Sequence, residues 1–147
     1  MSEPVCSLPT PFEEAAAILP GLKTVAMVGL SPNPDRPSHE VAVYLLAQGF
    51  TVIPIRPAVS EILGQKAYPS LTEYGQPVDI VDIFRTPEAV PGIVEEALKI
   101  GCKVIWMQTG IAHPAAADRA RAAGVSVVEN RCLWRVHKAM QHKAAQG

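Results

Sequence analysis

The chain has 147 residues, 48% of them hydrophobic, and its 13 Lys and Arg nearly balance 14 Asp and Glu for a formal net charge of -1. That is the size of one compact domain with enough apolar residues for a core, and its charge excludes a broad nucleic-acid footprint, leaving only local basic clusters as anion sites. No apolar run reaches the roughly 18 to 20 residues needed to cross a bilayer, and Met1-Ser2-Glu3-Pro4 lacks the basic start of a secretion signal. A cytoplasmic protein without nucleic-acid or membrane partners is expected.

In chain order, residues 1–11 are expected to be a flexible terminus. A helix over about Phe12–Leu19 precedes the first strand, Thr24–Gly29. A polar, Pro-rich loop leads to an amphipathic helix, Ser38–Gln48, closed by Gly49, and then to a strand over Thr51–Ile55. Between Pro57 and Pro77 the pattern weakens, with Tyr68-Pro69-Ser70-Leu71 reading as a strand fragment followed by a short helix. Strand Ile80–Phe84, helix Glu88–Ile100 closed by Gly101, strand Val104–Met107, helix Pro114–Ala123 closed by Gly124, strand Val125–Val128 and a final helix over Cys132–Met140 complete the domain, placed at 12–140, with 141–147 again flexible. The glycine stops fit helix C-termini. Strands that are apolar throughout and alternate with helices predict a parallel α/β sheet covered on both faces, doubly wound, in a single domain.

In such a sheet, ligands bind beyond the carboxyl ends of the strands. The first strand stops at Gly29, and the loop through Leu30, Ser31, Arg36, Pro37 and Ser38 opens a helix whose free N–H groups and dipole suit a phosphate. It is not the dinucleotide fingerprint G-x-G-x-x-G, because no further glycine follows Gly29. Ser31 can donate to a phosphate or serve as a local cap, and Arg36 can fork onto an anion or fix the loop through backbone carbonyls. The second strand ends in Arg56-Pro57, where an NAD site carries an acid, so a phosphorylated ribose is favoured: NADP or coenzyme A. Phe84 and Arg85 end the third strand, and either flank a ligand or, for Phe84, close the core. Gln108 and Gly110 end the fourth, offering an amide and a close backbone approach, whereas Trp106 reads as core. Asn130, Arg131 and Cys132 follow the fifth into the same crevice; Asn130 also suits a turn, and Cys132 either faces a ligand thiol or is a buried, inert cysteine. Three widely spaced cysteines, Cys6, Cys102 and Cys132, predict free thiols.

Taken together, Gly29-Leu30-Ser31-x-x-Pro34-x-Arg36-Pro37-Ser38, Val52-Ile53-Pro54-Ile55-Arg56-Pro57, Val78-Asp79-Ile80-Val81-Asp82-Ile83-Phe84-Arg85, Trp106-Met107-Gln108-x-Gly110 and Asn130-Arg131-Cys132 resemble the small stand-alone CoA-binding proteins. These are similar to the N-terminal CoA-binding domain of the succinyl-CoA synthetase α subunit. The resemblance spans about residues 12 to 138 and implies a Rossmann-like domain holding coenzyme A along the strand ends, with the glycine-serine loop near the pyrophosphate and the second strand end near the adenosine. Two departures stand out. Arg56 replaces an Asn common at that position, and Leu133-Trp134-Arg135-Val136-His137 replaces a tail that often reads Lys-Ile-Glu-His.

No catalytic set emerges. His39, His113, His137 and His142 form no metal-ligand spacing or nucleophile triad, and Asp79 and Asp82, three apart on a strand, face opposite sides and read as structural. The resemblance adds that the synthetase's phosphohistidine and nucleotide-grasp parts have no counterpart. The expectation is noncatalytic binding of CoA or a short acyl-CoA, with a possible homodimer or partner protein. The alternatives are an NADP-dependent oxidoreductase, favoured by Arg56, and the CoA-binding subunit of a multi-chain acyl-CoA ligase.

Overall fold

A computed structural model describes residues 9–146 of the chain. Cys6 and most of the expected N-terminal segment lie outside the described residues. The elements are α1 (Phe12–Ile18), β1 (Thr24–Val28), α2 (Pro37–Ala47), β2 (Thr51–Ile55), β3 (Glu61–Ile62), β4 (Gln65–Lys66), α3 (Leu71–Tyr74), β5 (Val78–Ile83), α4 (Val90–Ile100), β6 (Cys102–Met107), α5 (Pro114–Ala122), β7 (Ser126–Val128) and α6 (Leu133–Gln146).

Five strands form one parallel sheet in the order β2-β1-β5-β6-β7. Because β1 lies between β2 and β5, the chain reverses its direction of winding there, and this switch point opens a crevice at the strands' C-terminal ends. Val25, Met27, Ile80, Val104 and Trp106 face α1, α2 and α6, whereas Ala26, Val28, Val81, Ile83, Ile105 and Met107 face α3, α4 and α5. Burial on both faces is why these strands carry Val and Ile at consecutive positions rather than in alternation. The sequence reading of a doubly wound α/β domain with helices on both faces matches this architecture.

Local differences have local causes. Helix α4 begins at Val90, after a short 3-10 turn at Pro87–Ala89. The tight hairpin β3–β4 goes unseen in the sequence because two-residue strands carry no periodicity. Its turn uses Leu63 at φ 53° before Gly64, not one of the usual Asn-Gly pairs. Tyr68 does pair with Ile55 as a strand fragment. Helix α2 buries one face through Ser38, Val41, Ala42 and Leu45, and its outer face carries an exposed apolar residue, Val43. Helix α6 continues past Met140 to Gln146.

The region before α1 is tied to the far edge of the sheet. Thr10 donates its N–H to the Glu129 carbonyl (3.1 Å), its Oγ1 accepts from the Glu129 N–H (2.8 Å), and its carbonyl accepts from Arg131 Nε (2.7 Å). Asp79 at the opposite end of β5 accepts from the Lys23 and Thr24 N–H groups and pairs with Lys103. Partial burial alone would raise its pKa, but these bonds and the Lys103 charge hold it below the usual value. Asp79 is therefore structural. Asp82, on the other face, is fully buried.

Candidate functional site

At the switch point, Gly29 takes φ +92° and turns the chain out of β1. Its N–H donates to the Ile55 carbonyl and the Phe84 N–H donates to that of Val28, both at 2.9 Å, so three strand ends stay joined up to the crevice. A Cβ at position 29 would lie 2.7 Å from the Phe84 carbonyl oxygen, which makes glycine a requirement of this crossing.

The loop after Gly29 is held by its own short polar side chains. Ser38 Oγ accepts from the Ser31 N–H (3.0 Å), Ser31 Oγ from the Asn33 N–H (3.0 Å), and Asn33 Oδ1 from the Asp35 N–H (2.9 Å). Arg36, extended at φ -89° and ψ 143°, precedes Pro37, the first residue of α2. Proline supplies no N–H and presets the helical φ, so the helix starts cleanly, with the Arg36 N–H donating to the Asn33 carbonyl and the His39 and Glu40 N–H groups to that of Arg36. Loop, helix start and β2 end together line a cavity of about 510 Å³ that contains Gly29, Ser31, Arg36, Ser38 and Arg56. Two guanidiniums and a helix N-terminus, with no carboxylate among the described lining residues, give this cavity a positive potential that suits an anion.

A larger cavity of about 780 Å³ continues from it, the two sharing Pro37 and Phe84. Phe84 packs against the core and lines both cavities. Arg85, Gln108, Gly110 and Cys132 line this second cavity as expected from their strand ends. Glu40, Thr86, Thr109, Trp134 and Arg135 do so as well, and the sequence reading missed them. Thr109 was findable, since it lies between two chosen residues. Trp134 and Arg135 were not, because only the return of α6 across the sheet brings them to the crevice.

Several expected roles change. Leu30 is wholly buried, and what it offers the site is a carbonyl that accepts from Arg56 Nη1 at 3.3 Å. Arg56 rather than Arg36 is therefore the arginine that fixes the loop. Pro57 is exposed and outside both cavities. The Gln108 amide is not free on both sides, because its Oε1 accepts from the Leu133 N–H (3.1 Å) and anchors the start of α6, leaving only its NH₂ for a ligand. Asn130 Oδ1 is likewise engaged by the Gly110 N–H at 2.7 Å, and with Arg131 it borders a third cavity instead of the main crevice. Trp106 is core, its Nε1–H donating to the Arg131 carbonyl. Cys132 is half-buried where the second and third cavities meet, not sealed in the core. Cys102, also unpaired, lies at the other end of β6, where burial pushes its thiol up to about 11. Among the described residues no group of His, Cys, Asp or Glu forms a metal site, and no helix is long and apolar enough to cross a membrane.

Comparison with known proteins places the chain in a class. Residues 23–138 match the CoA binding domain family, and the chain belongs to it. It is 39% identical over 124 residues to the uncharacterized protein YneT of Bacillus subtilis, covering 84% of this chain and 92% of that protein. A hypothetical protein from Pyrococcus horikoshii has the same fold, with a TM-score of 0.84, 35% identity, and coverage of 96% of this chain and 98% of the other. The chain is also 30% identical over 83 residues to an ADP-forming acetate–CoA ligase of Archaeoglobus fulgidus. There the match spans 55% of this chain and only 12% of the ligase.

Proposed function

We propose that the protein binds coenzyme A or a short acyl-CoA without transforming it. Phosphates would rest against Arg36, Arg56 and the start of α2, and the pantetheine arm would pass Phe84 into the larger cavity beside Gln108 and Gly110. The observation that carries this reading is the shape and charge of the crevice: a basic, helix-capped cradle opening past one aromatic wall into a chamber lined by Val41, Phe84, Ile111 and Trp134. A mobile nucleotide with three phosphates and an amphipathic arm fits that gradient, and family membership supports it. Its likeness to acetate–CoA ligases supports a second reading, in which the protein is the CoA-holding subunit of a ligase whose catalytic parts are on another chain.

Thermal unfolding with CoA, 3′-dephospho-CoA, acetyl-CoA and NADPH tests it. A ligand at about 100 times its Kd adds roughly 2.7 kcal/mol, which for a domain of this size raises Tm by about 5 to 10 °C. CoA is expected to stabilise by that amount, dephospho-CoA less, and NADPH not at all. Stabilisation by NADPH alone would transfer the site to a nicotinamide cofactor.

A further inference from the structure

The crevice does not end at the larger cavity. A third, of about 440 Å³, adjoins it across Thr109, Cys132 and Arg135. It lies between α1, the β7 end and the start of α6. Its walls are apolar at Phe12, Val136 and Ala139 and basic at Arg131 and Arg135, with no carboxylate among the described lining residues. The hydrogen bond from Arg131 to Thr10 engages only Nε, and Arg135, on the same side of the chain four residues on, is exposed and in no ion pair among the described residues. From β2 to β7 the three cavities follow four strand spacings, roughly 19 Å at about 4.8 Å each.

We propose that this third cavity receives the acyl end of a CoA thioester whose acyl group terminates in a carboxylate. The inference rests on the CoA reading above. With the phosphates at the α2 end, the sulfur end of the ligand points toward β7, and Cys132 and Thr109 mark where a free thiol would stop. Beyond them the molecule offers room for a few methylenes against Phe12 and Val136, then two guanidiniums. Guanidinium forks match a carboxylate in geometry and charge, and two of them in a half-apolar cavity are better satisfied by an anion than by a methyl group. An acetyl or butyryl group would offer neither guanidinium an anion, leaving Arg131 with its Nε bond to the Thr10 carbonyl.

Isothermal titration of the full-length protein with CoA, 3′-dephospho-CoA, acetyl-CoA, malonyl-CoA, succinyl-CoA, glutaryl-CoA and free succinate tests this, repeated with Arg135→Gln. Arg135 is exposed, so the variant should keep the wild-type Tm. At least one carboxyacyl-CoA is expected to bind tenfold or more tightly than acetyl-CoA. Arg135→Gln should abolish that preference, read as the ratio of the acetyl-CoA and carboxyacyl-CoA Kd values within the variant. Equal affinity for acetyl-CoA and every carboxyacyl-CoA overturns the proposal, as does succinate alone binding as tightly as succinyl-CoA, which would make the cavity a free-anion site. If Arg135→Gln weakens CoA but not dephospho-CoA, the ligand runs the other way and the arginines hold its 3′-phosphate. Failure of CoA and every thioester to bind would instead overturn the functional reading itself.

Discussion

Replacing Gly29 with Ala is expected to lower stability by about 2–4 kcal/mol and to weaken CoA binding by more than tenfold. Two costs add at this residue. A side chain at φ +92° is strained, by about 1–3 kcal/mol for left-handed positions. The new methyl would also sit 2.7 Å from the Phe84 carbonyl oxygen, a backbone atom that cannot swing away. Relief requires the β1 and β5 ends to part, and those ends hold both the loop of the anion cradle and the Phe84 wall between the two cavities. Chemical denaturation reads the first effect and titration with CoA the second. A variant with wild-type stability would show that the strand crossing is looser than described.

Substitution of Asp82 acts in the opposite direction. Its carboxyl is fully buried between Met27 and Trp106 on the neighbouring strands, and neither oxygen has a hydrogen-bond partner among the described residues. Burial makes the charged form unfavourable and raises its pKa well above the ordinary carboxylate value. The folded protein therefore holds this proton to a higher pH than the unfolded chain, which releases it near pH 4. The stability associated with Asp82 is full below that pH and falls as pH rises toward the folded value. Asp82→Asn, which cannot titrate, should flatten the decline in stability as pH rises above about 4. Asp82→Val should stabilise by about 1–3 kcal/mol at pH 7, since it removes an unsatisfied buried polar group from an apolar setting. A wild-type pH profile unchanged by Asp82→Asn would mean that the carboxyl has a partner after all.

Much of the fold is legible in the sequence because it is written locally. Gly49, Gly101 and Gly124 close their helices at positive φ, and consecutive Val and Ile residues mark strands buried on both faces. Strand ends then follow, and with them Gly29, Ser31, Arg36, Ser38, Arg56, Phe84, Arg85, Gln108 and Gly110, all of which border the two main cavities. What escapes is written at a distance. The Thr10 clasp joins residues 119 apart. Trp134 and Arg135 reach the crevice only because α6 crosses back over it. Gln108 and Asn130 look like ligand contacts in isolation, yet each has a carbonyl oxygen engaged by a backbone N–H of another loop. Period-two alternation puts Asp79 and Asp82 on opposite faces, but in a sheet covered on both sides it cannot tell that one is bonded at the rim while the other is sealed without a partner.

The central claim is that coenzyme A lies along the C-terminal ends of the strands, and amide chemical-shift mapping of the isotope-labelled protein during CoA titration tests it most directly. The account predicts shifts concentrated at residues 29–31, 33, 36, 38–40, 56, 84–86, 108–111 and 132–135, with the amides at the opposite strand ends, near Lys23, Asp79 and Cys102, unmoved. Shifts clustered at that opposite edge, or none at saturating CoA, would contradict it.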